Sequence, residues 1–126
     1  MELKFLYCEK CKKMVAVVND TPVPAMCCGQ KMTELVAGSV DAAVEKHVPE
    51  VTVKENELVA FVGSVEHPMT EAHHIAFVAV LFEDGSFAIK NLDHTGKPEA
   101  VFPIGSVKPV AVYEYCNLHG LWKKEL

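Results

Sequence analysis

The chain has 126 residues, half of them hydrophobic and under a quarter charged, with a formal net charge of −5. That is enough for one globular domain, or one domain with a small appendage, and the acidic balance argues against a nucleic-acid-binding face. The longest apolar run, Ile75 to Phe82, is too short to span a bilayer, and Met1-Glu-Leu-Lys4 lacks the basic and apolar regions of a secretory leader, so a cytoplasmic protein with no membrane partner is expected.

Residues 1 to about 36 read as a first unit. Cys8-Glu-Lys-Cys11 is followed by a short apolar strand, Met14 to Val18, a turn from Asn19 to Pro24, and then Cys27-Cys28-Gly29. So short a segment buries little apolar surface and needs a staple to fold. The remainder reads as β-structure with no helical period. Val51–Lys54 and Leu58–Val62 flank a polar Glu55-Asn-Glu57 turn. Ile75–Phe82 and Phe87–Leu92 flank Glu83-Asp-Gly-Ser86, and after the turn Asp93–Pro98 come Glu99–Phe102 and Lys108–Tyr115. Short strands at regular spacing, with turn residues between them, point to a β-sandwich or barrel.

Cysteine usage divides the chemistry. Four of the five cysteines lie near the N-terminus and one, Cys116, stands apart. In a reducing compartment such clusters are more often metal ligands than disulfides. Cys8, Cys11, Cys27 and Cys28 form a four-thiolate set. The Cys-x-x-Cys turn aims two sulfurs at one point, whereas adjacent cysteines in an extended chain face opposite ways and reach one ion only through a local twist, which Gly29 would ease. Tetrahedral sulfur coordination suits zinc or iron, and spacing alone leaves both open.

Cys116 and His119, three residues apart, can grip a second ion but need partners. His47, His67 and the pair His73-His74 all lie at strand edges, where loops can converge. Taken alone, any one of them is more readily an ordinary exposed or hydrogen-bonded side chain. Taken together with an isolated Cys-x-x-His, they point to a shared site. Of the adjacent pair only one easily faces the same ion, and His94 reads as a surface turn residue.

Cys8-x-x-Cys11 with Cys27-Cys28-Gly29, Glu45-Lys46-His47-x-Pro49, His67-Pro68-Met69, His73-x-Ile75 and Cys116-Asn-x-His119-Gly120-Leu-Trp122 together resemble desulfoferrodoxin, the two-iron class of superoxide reductase. The five motifs cover nearly the whole chain. His74 departs from the family, standing where many relatives carry tyrosine, which leaves its own role open.

The resemblance implies a mainly β protein. Residues 1–36 would form a desulforedoxin-like domain holding one iron on four cysteines, with zinc possible there. Residues 37–126 would form an immunoglobulin-like β-sandwich. In it, a catalytic iron would be held by His47, His67, His73 and His119 in a plane and by Cys116 on the axis. Glu45 would be able to fill the sixth position in the oxidised state, with Lys46 beside the open face. The implied reaction is one-electron reduction of superoxide to hydrogen peroxide, with re-reduction by a rubredoxin-like donor, in a homodimer. An axial thiolate suits this chemistry because it pushes electron density through the metal toward the opposite position. Two other readings stand beside it: a non-catalytic iron electron carrier, and a zinc-ribbon interaction module fused to a β-sandwich.

Overall fold

Short runs of β-branched and aromatic residues between Gly, Asp and Asn turns favour strands over helices. The computed structural model, which describes residues 1–126, has twelve strands and one helical turn. Its contacts divide the chain into two units, Met1–Val36 and Ala37–Leu126.

In the first unit, β1 (Phe5–Tyr7) pairs antiparallel with β2 (Met14–Ala16) and with β5 (Thr33–Glu34). β3 (Met26–Cys27) and β4 (Gln30–Lys31) make a separate hairpin of two residues a side. The expected strand from Met14 to Val18 is therefore shorter than its apolar run, and β1 was not anticipated. Three residues, Phe5-Leu-Tyr7, are too few to show a period. Only Leu3, Phe5 and Cys8 of this unit are buried, so its strands have almost no core of their own.

The second unit is a two-sheet antiparallel sandwich of the immunoglobulin type. After the helical turn α1 (Val44–His47) come β6 (Pro49–Lys54), β7 (Glu57–Val62), β8 (Ile75–Phe82), β9 (Phe87–Asn91), β10 (Glu99–Pro103), β11 (Pro109–Cys116) and β12 (Gly120–Glu125). One sheet has the order β10-β7-β6 and the other β12-β11-β8-β9. Alternation along β7 turns Leu58, Ala60 and Val62 inward, each at 0% exposure. They meet Ala100 and Phe102 of β10, Val78 and Val80 of β8, and Val112 and Cys116 of β11 in one core. Pro49 opens β6, which the sequence began only at Val51. As the first residue of an edge strand, Pro49 is tolerated without a donor.

Register brings the candidate ligands to one end of this sandwich. Pro49, just past His47, pairs with Val62, just before the His67 loop. Ile75, just past His73, pairs with Cys116, and Cys116 in turn pairs with Gly120. Antiparallel pairing thus brings two of the segments together in each sheet, and their donor side chains meet at one end of the sandwich.

Candidate metal centres

The first centre is built by two turns. The loop from Cys8 to Lys13 closes the β1–β2 hairpin: Cys8 N–H donates to the Lys13 carbonyl at 2.8 Å and Lys12 N–H to the Cys8 carbonyl at 2.9 Å. Lys12 adopts a φ of 69°, turning the chain back after Cys11. Opposite, Cys27 pairs with Gln30, leaving Cys28 and Gly29 as a two-residue hairpin turn with φ of 51° and 77°. Two successive positive φ values are the signature of a type I′ turn. The left-handed Cys28 is the local twist that lets neighbouring cysteines face one point.

The four sulfurs lie within 4.8 Å of one another. Cys11 Sγ stands 3.6 Å from Cys27 Sγ, which is 4.0 Å from Cys28 Sγ. An ion bound tetrahedrally at about 2.3 Å from each sulfur requires separations of roughly 3.8 Å, so this donor set fits. All five cysteines are free thiols. The backbone N–H of Cys11, which donates to Cys8 Sγ at 3.4 Å, pulls the Cys8 thiol down to about 6. Hydrogen bonding to Cys11 and then to Cys8 pushes Cys27 in the opposite direction. Four close sulfurs cannot all ionise until a cation neutralises them.

The second centre draws on four segments. His47 ends α1, His67 sits in the loop after β7, His73 precedes β8, and Cys116 and His119 flank the β11–β12 turn. Their donor atoms all lie within 4.8 Å of one another. The rings follow one another in a closed cycle, each edge-on to the next. His47 and His67 have centroids 4.7 Å apart at 75°, and His67 and His73 are 4.7 Å apart at 81°. His73 and His119 are 5.1 Å apart at 77°, and His119 and His47 are 4.9 Å apart at 89°. Such a cycle is a square of imidazoles. Cys116, fully buried, brings its sulfur to 3.8 Å from His119 Nδ1.

Hydrogen bonds select the nitrogen each ring offers. His47 Nδ1 is 2.7 Å from the Ala43 carbonyl and His67 Nδ1 is 2.7 Å from the Pro68 carbonyl, so both donate there and leave Nε2 with a lone pair toward the cluster. The Nε2 of His73 is buried with no partner. His119 faces inward through Nδ1, 3.1 Å from His47 Nε2, which is itself 3.1 Å from His67 Nε2. An ion bound at about 2.1 Å to two imidazoles at right angles places their nitrogens about 3 Å apart. The orphaned His73 nitrogen and these spacings both fit a metal.

Burial lowers the basicity of His47 and His73, and brings His67 down to about 4. These three rings are therefore neutral donors at neutral pH. Burial also raises the Cys116 thiol, against the backbone N–H groups of Leu118 and His119, which favour the thiolate. Its proton leaves when a cation compensates the charge.

Further residues shape this centre without joining it. Trp122 stacks on His47 with centroids 5.0 Å apart, and its Nε1 donates to the His119 carbonyl at 3.0 Å. The Asn117 side chain accepts from His74 N–H at 2.8 Å and donates to the Ala72 carbonyl at 3.0 Å, clasping the segment that carries His73. His74 turns away: its Nδ1 lies 3.0 Å from the Thr70 carbonyl and its ring 6.0 Å from that of His94. Glu45 and Lys46 are exposed on α1. The Lys46 charge reaches the centre, contributing to the lowered basicity of both His47 and His73. Asn117 and Trp122 lay inside a motif already noted in the sequence, but nothing there assigned them a task. The helical turn α1 was missed because four residues show no period.

The family model described as desulfoferrodoxin matches residues 39–125. A desulfoferrodoxin of Syntrophotalea carbinolica is 41% identical over 124 residues, spanning 98% of this chain and 97% of that protein. Another, of Desulfarculus baarsii, is 41% identical over 123 residues, spanning 98% and 96%. Among solved structures, that of the superoxide reductase from Treponema pallidum matches with a TM-score of 0.83 at 34% identity, covering 99% of this chain and all of that one. The sequence, the paired donor sets and the two-unit β fold thus agree, and the chain belongs to the desulfoferrodoxin family.

Proposed function

We propose that the chain is a superoxide reductase, with Cys8, Cys11, Cys27 and Cys28 holding one iron and His47, His67, His73, His119 and Cys116 holding the catalytic one. The observation that carries this reading is the closed cycle of four imidazoles with a buried cysteine beside it. These five donors would hold the ion, and Lys46 stands exposed next in sequence to His47. Bound ferrous iron would supply the single electron that, with two protons, converts superoxide to hydrogen peroxide.

The chain's own part is electrostatic and geometric. Four neutral imidazoles would leave the charge of a bound divalent ion largely intact, so the loaded centre would attract a small anion. Trp122 and the Ala43 and Pro68 carbonyls fix ring orientation. The Cys116 thiolate would hold the ion beside the four imidazoles and supply it with electron density. Lys46 adds local positive charge, and Glu45, exposed one residue before it, would be the group able to cover the face when substrate is absent. A rubredoxin-like donor, a cytoplasmic location and a homodimer complete the reading. No helix is long and apolar enough to cross a membrane.

The test is to load the protein with iron, reduce it, and add superoxide while following oxidation of the second centre. One peroxide per centre oxidised, with no oxygen evolved from the reaction, is the expected outcome. Oxygen evolution would indicate dismutation, and an inert reduced protein would indicate an electron carrier.

A further inference from the structure

Gly63 is the first residue past β7, buried and adjacent to Val62, which is locked in the core. A β-carbon there would lie 2.6 Å from the carbonyl oxygen of Glu45, 2.9 Å from that of Val48 and 3.0 Å from the carbonyl carbon of Lys46. All three are backbone atoms of α1 and its exit, so no change of rotamer relieves the contact. The same segment supports α1 from below. Val65 N–H and the Ser64 hydroxyl both donate to the Glu45 carbonyl, at 2.8 and 3.2 Å.

That shelf is anchored on both sides. Val62 N–H donates to the Pro98 carbonyl and His67 N–H to the Val62 carbonyl, each at 2.8 Å. In contrast, α1 has four residues and no side-chain cap, and a lone turn has little stability of its own. If the two surfaces are forced apart, α1 is the one that moves. His47, at its end, is held back by the stack on Trp122, so the displacement falls on Glu45 and Lys46.

We propose that Gly63 is a positioning residue: its missing side chain seats the Glu45–Lys46 turn at a fixed height and thereby sets where the Lys46 charge stands relative to the anion-binding face. The proposal rests on reading the second centre as the superoxide site.

The test compares Gly63→Ala, Lys46→Ala and the double variant in the iron-loaded protein. Two readouts serve: the second-order rate with superoxide, and the affinity of the ferric protein for azide, followed by absorption without turnover. Gly63→Ala is expected to lower both by about tenfold, the scale of a sub-ångström misplacement combined with lost steering. It should also flatten the dependence of the rate on salt, and add nothing further once Lys46 is alanine. Losses that multiply in the double variant, or wild-type values in Gly63→Ala, would overturn the proposal. If Gly63→Ala does not retain iron, Ser64→Ala decides, since it removes only an exposed hydroxyl from the shelf. A twofold or greater loss of azide affinity that disappears in the Lys46→Ala background supports the positioning role, and an unchanged affinity overturns it. A wild type that binds azide with this pattern but does not react with superoxide would remove the enzymatic reading and leave the positioning intact.

Discussion

Lys46 and Glu114 are the two residues where charge has most to explain. Superoxide is an anion and the chain carries a net charge of −5, so approach depends on local positive potential. Lys46 is exposed, and its charge is felt at both His47 and His73. Lys46→Ala is expected to slow the second-order reaction roughly tenfold and Lys46→Arg to retain most of the rate, with added salt slowing the wild type more than the alanine variant. Pulse radiolysis at two ionic strengths measures this, and equal low-salt rates would remove the steering role. Glu114 poses the opposite problem. It is fully buried and neither carboxylate oxygen has a partner. Register sets it across from Val78 and Trp122, two residues before Cys116. Burial raises its pKa well above the usual carboxylate value. Between the unfolded and folded pKa values the native state then binds the extra proton, so the contribution of Glu114 to stability is fully present at low pH and declines as pH rises through that window. Denaturant titrations of the metal-free protein at pH 5 and pH 8 are expected to show wild-type stability falling more steeply than that of Glu114→Gln, which cannot ionise. Parallel profiles would mean that the carboxyl is solvated or paired.

Among the elements, the turns decide the second centre. β7, β8 and β11 supply a rigid edge, but His67, His73 and His119 project from the connections between strands. Asn117 ties two of those connections together through its bonds to His74 N–H and the Ala72 carbonyl. Because it is exposed, Asn117→Ala should cost the fold only about 1 kcal/mol. It frees the segment bearing His73, however, and loss of such an outer partner typically weakens metal binding by about 10- to 100-fold. Release of the second metal to a chelator should accelerate accordingly, while unchanged release would show that His73 needs no clasp. The longer elements were legible in the sequence because alternation in Leu58–Val62 and the apolar run Ile75–Phe82 carry a strong signal. The two clusters of donor side chains were legible through their spacing and resemblance. β12 was not, because Gly120-Leu-Trp122 reads as the tail of a metal motif. Neither were α1 and the shelf at Gly63, whose roles depend on a contact between segments that no local pattern records. Glu114 was also invisible: a single acidic residue in a strand gives no sign of which face it will occupy.

At the scale of the whole molecule, the two units differ in what holds them together. Ala37–Leu126 has a two-sheet core of fully buried aliphatic side chains, including Leu58, Val62, Val78, Val80 and Val112. Met1–Val36 has strands of two or three residues and three buried side chains, one of which is the candidate ligand Cys8. A segment of that size folds only when a metal or other cross-link compensates the lost chain entropy. The two donor sets share no residue and belong to different units. Replacing Cys27 and Cys28 by serine should therefore abolish the first metal and leave amides of residues 1–36 open to hydrogen exchange. The second unit should retain its protection, its metal and the superoxide reaction of its pre-reduced centre to within about threefold, a difference of well under 1 kcal/mol in barrier. Hydrogen exchange read by mass spectrometry, with metal content and stopped-flow rates on the same sample, measures all three. If the double variant keeps the second metal yet loses the reaction, electrons or structure from the first unit are required for the chemistry itself. If residues 1–36 stay protected without their metal, the strands of that unit need no staple, and the reading of its cysteines as a folding element fails.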